Sequence, residues 1–179
     1  WLVTDDGDGL SLGGNHLMHL FRRNVDLRVL LFNNEVYGLT KGQYSPTSQP
    51  GMVSSSTPRG SVDAPLQSAT FALGCGASFV ARSADTMQKH LVSTFHRARG
   101  HCGTSLVGIL QNCIICSDGT FDSLTNKKTA ADHLVEAVHG EPLIFGAGRD
   151  KGLRLNPQTL SLAVEGLATN GGNIDDFDP

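Results

Sequence analysis

The sequence lacks an apolar run long enough to cross a bilayer, which takes ~20 residues, and it lacks an excess of positive charge. Lys and Arg total 14 against 17 Asp and Glu, a net charge of -3, so no broad basic surface is available for nucleic acid or an anionic membrane. The start of the chain also lacks the charged and apolar regions of a signal peptide. We therefore expect a cytoplasmic protein that binds neither nucleic acid nor membrane.

Cysteine is scarce, with four in 179 residues, and the sequence has no Asn-x-Ser/Thr acceptor that would indicate secretion. Free thiols or metal ligands are therefore favoured over a disulfide framework. The length suits one packed core, and we predict a single domain over residues 1–179. Because the chain opens at Trp1 directly on an apolar run, we expect its natural N-terminus to lie upstream.

Strand-like and helix-like patterns alternate along most of the chain. Strands are predicted at 1–4, 27–32, 77–81 and 104–110, and we expect the first two, which are apolar runs, to be buried. Helices are predicted around 17–21, over 66–73, over 85–99 with Ser83 or Asp85 as its cap, and near 130–138. The segment from Asn33 to Pro65 is rich in Gly, Pro, Ser and Thr, and loops of such length are usually functional or disordered. The remainder to Pro179 is less regular. This alternation predicts an α/β fold in which a parallel sheet carries helices on both faces.

Polar residues follow the first two predicted strands. One strand ends in Asp5-Asp6-Gly7-Asp8 and the next in Asn33-Asn34-Glu35-Val36-Tyr37-Gly38, so carboxylate and amide oxygens can converge where parallel strands end. Hard oxygen ligands suit Mg²⁺, which usually also binds phosphate oxygens. The Gly13-Gly14 pair allows the backbone to approach an anion closely at the start of the following helix. The alternative is that both strings are plain turn chemistry.

These strings resemble the diphosphate-binding motif of thiamine diphosphate enzymes, which runs from Gly-Asp-Gly to Asn-Asn. Further strings are similar to the beta subunit of 2-oxoacid:ferredoxin oxidoreductases, especially the 2-oxoglutarate type, and cover nearly the whole chain. They are Gly13–Leu17, Arg22–Asn24, Tyr37–Thr47, Phe79–Arg82, Gln111–Cys113, His139–Gly140 and Asp150–Leu155. The resemblance implies the thiamine diphosphate-binding fold.

The resemblance also implies roles for particular residues. Mg²⁺ would be held by Asp6, the Asn34 side chain and the Val36 carbonyl, and Cys113 would bind a 4Fe-4S cluster whose other three ligands lie upstream. Further contacts to thiamine diphosphate are expected from Gly7, Asp8, Asn15, His16, Gly38 and Thr40, and to substrate from Leu39 and Lys41, with Gln43 as a further polar contact. His16 is equally well explained as a helix residue packed beside Leu17, and Lys41 as a solvated loop lysine. We interpret Cys75, Cys102 and Cys116 as structural.

A function follows from the same resemblance. The protein would be the beta subunit of an enzyme that oxidatively decarboxylates a 2-oxoacid to its acyl-CoA and passes electrons through the cluster to ferredoxin, with an alpha subunit as obligate partner. This sequence departs from the family at Asp5, where relatives have Gly. Two alternatives stay open: a non-oxidative thiamine diphosphate decarboxylase or synthase, and a degenerate subunit whose cofactor site Asp5 has spoiled.

Overall fold

The computed structural model describes residues 1–138 and 140–167, so His139 of the predicted His139–Gly140 string lies outside the described residues. The chain divides into two compact units, Trp1–Phe121 and a second that begins at Asp122. The expected single domain over 1–179 stays a prediction, because this division does not say whether either unit folds alone.

A four-stranded parallel sheet in the order β1-β2-β6-β5 organises the first unit. Its register places Asp5 opposite Phe32, and Asn33 opposite Leu110. The strands of this unit are β1 (Leu2–Asp5), β2 (Arg28–Asn33), β3 (Val36–Tyr37), β4 (Gln43–Tyr44), β5 (Phe79–Ala84) and β6 (Ser105–Leu110), of which β3 and β4 form a separate hairpin. Its helices are α1 (Gly14–Arg22), α2 (Ser68–Gly74) and α3 (Gln88–Gly100), and a π-helical turn at Asp8–Leu12 precedes α1.

Helices cover both faces of the sheet, as predicted. The steps from β1 to β2 and from β2 to β5 run one way across the sheet, and the step from β5 to β6 runs back, so right-handed crossovers put α1 and α2 on one face and α3 on the other. Val29 and Leu31 of β2 pack with Phe21 of α1, whereas Leu30 and Phe32 pack on the α3 face. Burial on both faces explains the continuous apolar run of β2.

The expectation of a buried first strand was wrong. β1 lies at the edge of the sheet, and the exposed fractions of Leu2 and Val3 are 39% and 65%. In this chain, apolar composition alone does not distinguish a central strand from an edge strand with exposed side chains.

The predicted cap of α3 was also wrong. The helix begins after Met87 and has no side-chain cap. Ser83 lies in β5, and its hydroxyl contacts Nδ1 of His90 at 2.9 Å. At the other end of α3, Arg28 of β2 donates to the carbonyls of Ala98 and His101, which explains a cation inside an apolar strand because the last carbonyls of a helix lack internal partners.

The second unit is more regular than the sequence indicates. The predicted helix near 130–138 ends at His133, because Leu134 is extended, and an antiparallel sheet in the order β7-β8-β9 follows. Its elements are α4 (Asp122–Thr125), α5 (Ala130–His133), β7 (Ile144–Phe145), β8 (Lys151–Leu155) and β9 (Leu162–Gly166). Among the helices described in both units, none is long and apolar enough to span a membrane.

Candidate functional site

The loops after β1 and β2 meet at the carboxyl edge of the sheet. Asp6 directly follows β1, and Asn33 ends β2 beside it. Asp6 Oδ1 accepts a long hydrogen bond, 3.4 Å, from the amide of Asn34. Parallel pairing therefore brings together the two polar strings that the sequence separates by about 27 positions, as expected for neighbouring strands of such a sheet.

The carboxylate of Asp6 is fully buried, with an exposed fraction of 0%. Its second oxygen, Oδ2, accepts hydrogen bonds from Ser45 Oγ at 2.5 Å and Thr47 Oγ1 at 2.6 Å. None of the salt bridges found within 1–138 and 140–167 includes Asp6. A buried charge without an opposite charge is costly, so this carboxylate is a natural ligand for a cation.

Side-chain hydrogen bonds shape the loop after β2. Asn33 Oδ1 accepts from the amide of Glu35, and Asn34 Oδ1 accepts from the amide of Val36, both at 3.2 Å. These are Asx-type turns, in which the side chain replaces a backbone acceptor. Glu35 takes a left-handed conformation with φ of 56°, so the loop bends directly after the two asparagines.

Glu35 brings a second buried carboxyl group close to Asp6. Desolvation by burial raises the pKa of Glu35, the negative charge of Asp6 acts in the same direction, and a hydrogen bond from Gln49 opposes both. The Gln49 amide lies 3.2 Å from Glu35 Oε1. The raised pKa shows that a negative charge on Glu35 is disfavoured beside Asp6, and a cation bound there would relieve this repulsion.

The donor set fits Mg²⁺ rather than a transition metal. Asp6, Asn34 and the Val36 carbonyl offer a carboxylate, an amide and a peptide oxygen, which are the hard ligands that Mg²⁺ takes together with phosphate and water. Among the described residues, no group of three or more His, Cys, Asp and Glu side chains is placed to hold a metal. A site here would thus depend on neutral oxygens and on the cofactor itself.

Gly7 is required by close contact with Tyr37. A Cβ on Gly7 would lie 2.6 Å from Cδ1 of Tyr37 and closer still to Cε1, and the Tyr37 hydroxyl donates to the Gly7 carbonyl at 3.3 Å. The ring of Tyr37 therefore covers the turn after Asp6. This contact ties the β1 loop to the start of the β3-β4 hairpin.

Asp5 binds the backbone of its own loop. Its Oδ1 accepts a hydrogen bond of 2.6 Å from the amide of Asp8, where the π-helical turn begins. Asp8 itself is exposed. Asp5, which stands where the family has Gly, thus accepts a hydrogen bond from a backbone amide at the edge of the candidate site.

The remaining predicted cofactor and substrate residues lie on the solvent side. Asn15 and His16 are exposed in the first turn of α1, where helix amide groups lack internal acceptors. In the hairpin, the exposed fraction of Leu39 is 99%, and Lys41 is exposed with φ of 75°. Gly38 is exposed as well, and the Thr40 hydroxyl donates to the side-chain oxygen of Gln43.

The loop after β6 carries Cys113 to the same edge of the sheet. The amide of Gln111 donates to the carbonyl of Asn33 at 2.9 Å, and a Cβ on Gly42 would lie 3.6 Å from Sγ of Cys116. The Cys113 loop therefore lies against the β3-β4 hairpin, beside the loop that carries Asn34.

The two thiols of this loop have opposite pKa shifts. Desolvation acts to raise the pKa of Cys113, but hydrogen bonds from the backbone at Cys116, Ile115 and Ser117 and from the Cys116 side chain outweigh it, so the pKa is lowered. The pKa of Cys116 is raised by desolvation and by the charge of Cys113. Cys113 is thus the better thiolate. All four cysteines are free.

Sequence reasoning missed the hydroxyl groups of Ser45, Thr47 and Ser48. They lie in the long loop and are buried, with exposed fractions of 2%, 3% and 3%. Ser45 and Thr47 fall within the Tyr37–Thr47 string, which was the available signal. Nothing in the sequence shows which residues they contact, because Asp6, the partner of Ser45 and Thr47, is about 40 positions away, and Ser48 bonds instead to the carbonyl of Glu35.

Comparison with known proteins identifies a family for this arrangement. Residues 1–109 match the family model described as thiamine pyrophosphate enzyme, C-terminal TPP binding domain. The 2-oxoglutarate oxidoreductase subunit KorB of Mycobacterium tuberculosis is 45% identical over 98% of this chain and 48% of its own length. The 2-oxoglutarate synthase subunit KorB of Archaeoglobus fulgidus is 38% identical over 60% of this chain and 40% of its own length. The chain thus spans about half the length of the curated relatives it matches.

A solved structure shares the fold. The 2-oxoglutarate:ferredoxin oxidoreductase from Magnetococcus marinus, solved with 2-oxoglutarate, coenzyme A and succinyl-CoA bound, matches with a TM-score of 0.66 and 34% identity, over 76% of this chain and 45% of that chain. The predicted α/β fold is confirmed.

Gly7→Ala should force Tyr37 out of its place. We expect a loss of about 1–3 kcal/mol in unfolding free energy, the usual effect of adding a methyl group to a filled site, measured by urea denaturation. Gly14→Ala is the matched control, because a Cβ on Gly14 meets nothing within 4 Å. Tyr37→Ala added to Gly7→Ala should recover part of the loss; equal stability of Gly7→Ala and Gly14→Ala would contradict the contact.

Proposed function

The chain belongs to the thiamine pyrophosphate enzymes, as a C-terminal TPP-binding domain, and on that premise we propose that it is the beta subunit of a 2-oxoacid:ferredoxin oxidoreductase acting on 2-oxoglutarate. The observation that carries the proposal is the buried Asp6 carboxylate, which faces Asn34 at the sheet edge without a cationic partner among the described residues. The names of the Mycobacterium and Archaeoglobus relatives support the choice of 2-oxoglutarate.

Asp6, the Asn34 side chain and the Val36 carbonyl hold Mg²⁺ in this proposal. The cofactor, when bound, supplies the electron sink for decarboxylation of the 2-oxoacid. Gly7 and Asp8 line the diphosphate end, with Gly38 and Thr40 on the facing hairpin. The first turn of α1, with Asn15 and His16, presents amide groups toward an anion, since helix N-termini favour phosphate. The protein thus contributes placement and charge neutralisation.

Cys113 supplies one of the four thiolates that a 4Fe-4S cluster takes. Its lowered pKa supports this role, since the thiolate is the form that binds iron. Its loop lies beside the β3-β4 hairpin, which supports an electron acceptor close to the proposed site of decarboxylation.

Leu39 and Lys41 face the substrate in this proposal. Lys41 pairs with the distal carboxylate of 2-oxoglutarate, for which an ammonium on a flexible stem is a suitable partner. An alpha subunit completes the cofactor site, coenzyme A accepts the acyl group and ferredoxin accepts the electrons. The free thiols suit a reducing compartment, and we place the enzyme in the cytoplasm.

Asp5 favours a second candidate function, a subunit that no longer binds the cofactor. Its carboxylate accepts the hydrogen bond of the Asp8 amide, so that this amide is not free for a diphosphate, and it adds negative charge where a diphosphate would bind. Calorimetric titration of thiamine diphosphate and Mg²⁺ into the assembled protein decides between the two. Binding by the wild type supports the enzyme, and binding only after Asp5→Gly supports the degenerate subunit.

Asp6→Asn should strongly weaken the Mg²⁺-dependent binding of thiamine diphosphate. The amide keeps the shape of the side chain and removes its charge, so we expect the affinity to fall by at least ~100-fold, beyond the ~10–100-fold typical of a partner outside the metal shell. Isothermal titration of the assembled protein measures it. Glu136→Gln, at an exposed position, serves as the control, and unchanged affinity in Asp6→Asn would remove Asp6 from the site.

Cys113→Ser should lose the iron–sulfur cluster and keep cofactor binding. Serine retains the size of the side chain but is a poor iron ligand beside three thiolates. Iron content, visible absorbance and electron paramagnetic resonance report the cluster. Cys75→Ser and Cys102→Ser should retain it, and full iron content in Cys113→Ser would overturn the assignment and favour a non-oxidative enzyme.

Lys41→Ala should raise KM for 2-oxoglutarate by about tenfold and for pyruvate much less, because only 2-oxoglutarate has a second carboxylate to lose its partner. A hydrogen bond to a charged group contributes about 1.5 kcal/mol or more. Steady-state rates with both substrates measure the difference. Lys89→Ala, an exposed position on α3, is the control; equal increases for both substrates would exclude Lys41 from specificity.

A further inference from the structure

The loop between β4 and α2 contains three buried hydroxyl groups in four residues, Ser45, Thr47 and Ser48, which we call the hydroxyl clasp. The clasp is locally fixed: the Ser48 hydroxyl accepts from the amide of Ser45 at 2.7 Å, and the amide of Ser48 donates to the Ser45 carbonyl at 3.1 Å. At its outer side, the carbonyl of Pro46 accepts from the amide of Leu66 at 2.8 Å. These bonds make a defined platform from a long loop.

The clasp holds one oxygen of Asp6 and leaves the other available. Ser45 Oγ and Thr47 Oγ1 both lie within hydrogen-bond distance of Oδ2, at 2.5 and 2.6 Å. Oδ1 accepts the 3.4 Å bond from the amide of Asn34, which leaves it with unused lone-pair capacity. The carboxylate therefore presents Oδ1 toward the loop of Asn34 and Val36.

The clasp also holds the loop after β2. The Ser48 hydroxyl donates to the carbonyl of Glu35 at 2.5 Å, at the residue with left-handed backbone. Thr47 Oγ1 lies 2.8 Å from Asn33 Oδ1 as well as close to Asp6. Its single proton can serve one acceptor, and a carboxylate is the stronger one. The clasp thus contacts both loops from which the Mg²⁺ ligands come.

The chemistry of the clasp suits a metal site. Hydroxyl groups orient a buried carboxylate by donating hydrogen bonds without cancelling its charge, whereas Lys or Arg in their place would neutralise it. Burying three hydroxyl groups has a cost unless they are bonded, and each of these is bonded to the site. Outer partners of this kind orient metal ligands and contribute to affinity.

We propose that Ser45, Thr47 and Ser48 are positioning residues for Mg²⁺, which hold the Asp6 carboxylate and the 33–36 loop at the separation that the ion requires. The inference rests on the proposed cofactor site. In this proposal the clasp is not a ligand of the ion or of the cofactor and acts through Asp6 and through the backbone of Glu35.

Thr47→Val tests the proposal, because valine has the shape of threonine without its hydroxyl, and Thr47→Ser restores the hydroxyl. Mg²⁺ is titrated into the assembled protein at saturating thiamine diphosphate, with Mn²⁺ as a paramagnetic probe of the same site. We expect about tenfold weaker metal binding in Thr47→Val, near wild-type binding in Thr47→Ser and in the exposed control Ser55→Ala, and recovery of cofactor binding by Thr47→Val at high Mg²⁺.

Two results would overturn the proposal, and they differ. If the wild type binds Mg²⁺ and cofactor and Thr47→Val has the same metal affinity, the clasp does not position the Mg²⁺ ligands, and the proposed function is unaffected. No Mg²⁺-dependent cofactor binding by the wild type removes both. If Thr47→Val fails to fold, Ser45→Ala decides in the same titration: weaker metal binding supports the clasp, and unchanged binding overturns it.

Discussion

Asp6 carries a carboxylate into a fully buried position at the end of β1, and no ion pair among the described residues neutralises it. Removing a charge from water costs several kcal/mol unless charge or hydrogen bonds compensate. Two hydroxyl groups and one amide compensate in part. These hydrogen bonds do not neutralise the negative charge of the carboxylate. The neighbouring loop after β2 offers the Asn34 side chain and the Val36 carbonyl as further candidate ligands for a cation.

The parallel sheet creates this situation through its topology. Pairing of β1 with β2 and of β2 with β6 brings three loops to one edge, and these loops carry Asp6, Asn34 and Cys113. Gly7 lets the ring of Tyr37 close over the first loop. The same edge thus gathers the oxygen ligands proposed for Mg²⁺ and the thiol with the lowered pKa, an arrangement that suits the proposed coupling of decarboxylation to electron transfer.

Much of this could be predicted from local pattern. The strands β2, β5 and β6 and the helices α1 to α3 follow from apolar periodicity, within a few residues at their ends. The errors arose where a contact with a residue distant in sequence determines the local structure. β1 lies at an edge of the sheet, and the Ser83 hydroxyl, which was expected to cap α3, contacts His90 instead. Arg28 lies in a strand because it caps α3. None of these partners is visible in a local window.

The sequence by itself determined the fold class, the family resemblance and the residue types at the strand ends, because periodicity, turn residues and motif strings are local properties of the chain. The tertiary structure decided that Asp6 is buried without a cation among the described residues, that Ser45 and Thr47 fix its orientation, and that Asp5 binds the amide of Asp8. Burial and the choice of hydrogen-bond partner depend on segments far apart in sequence, which only folding brings into contact.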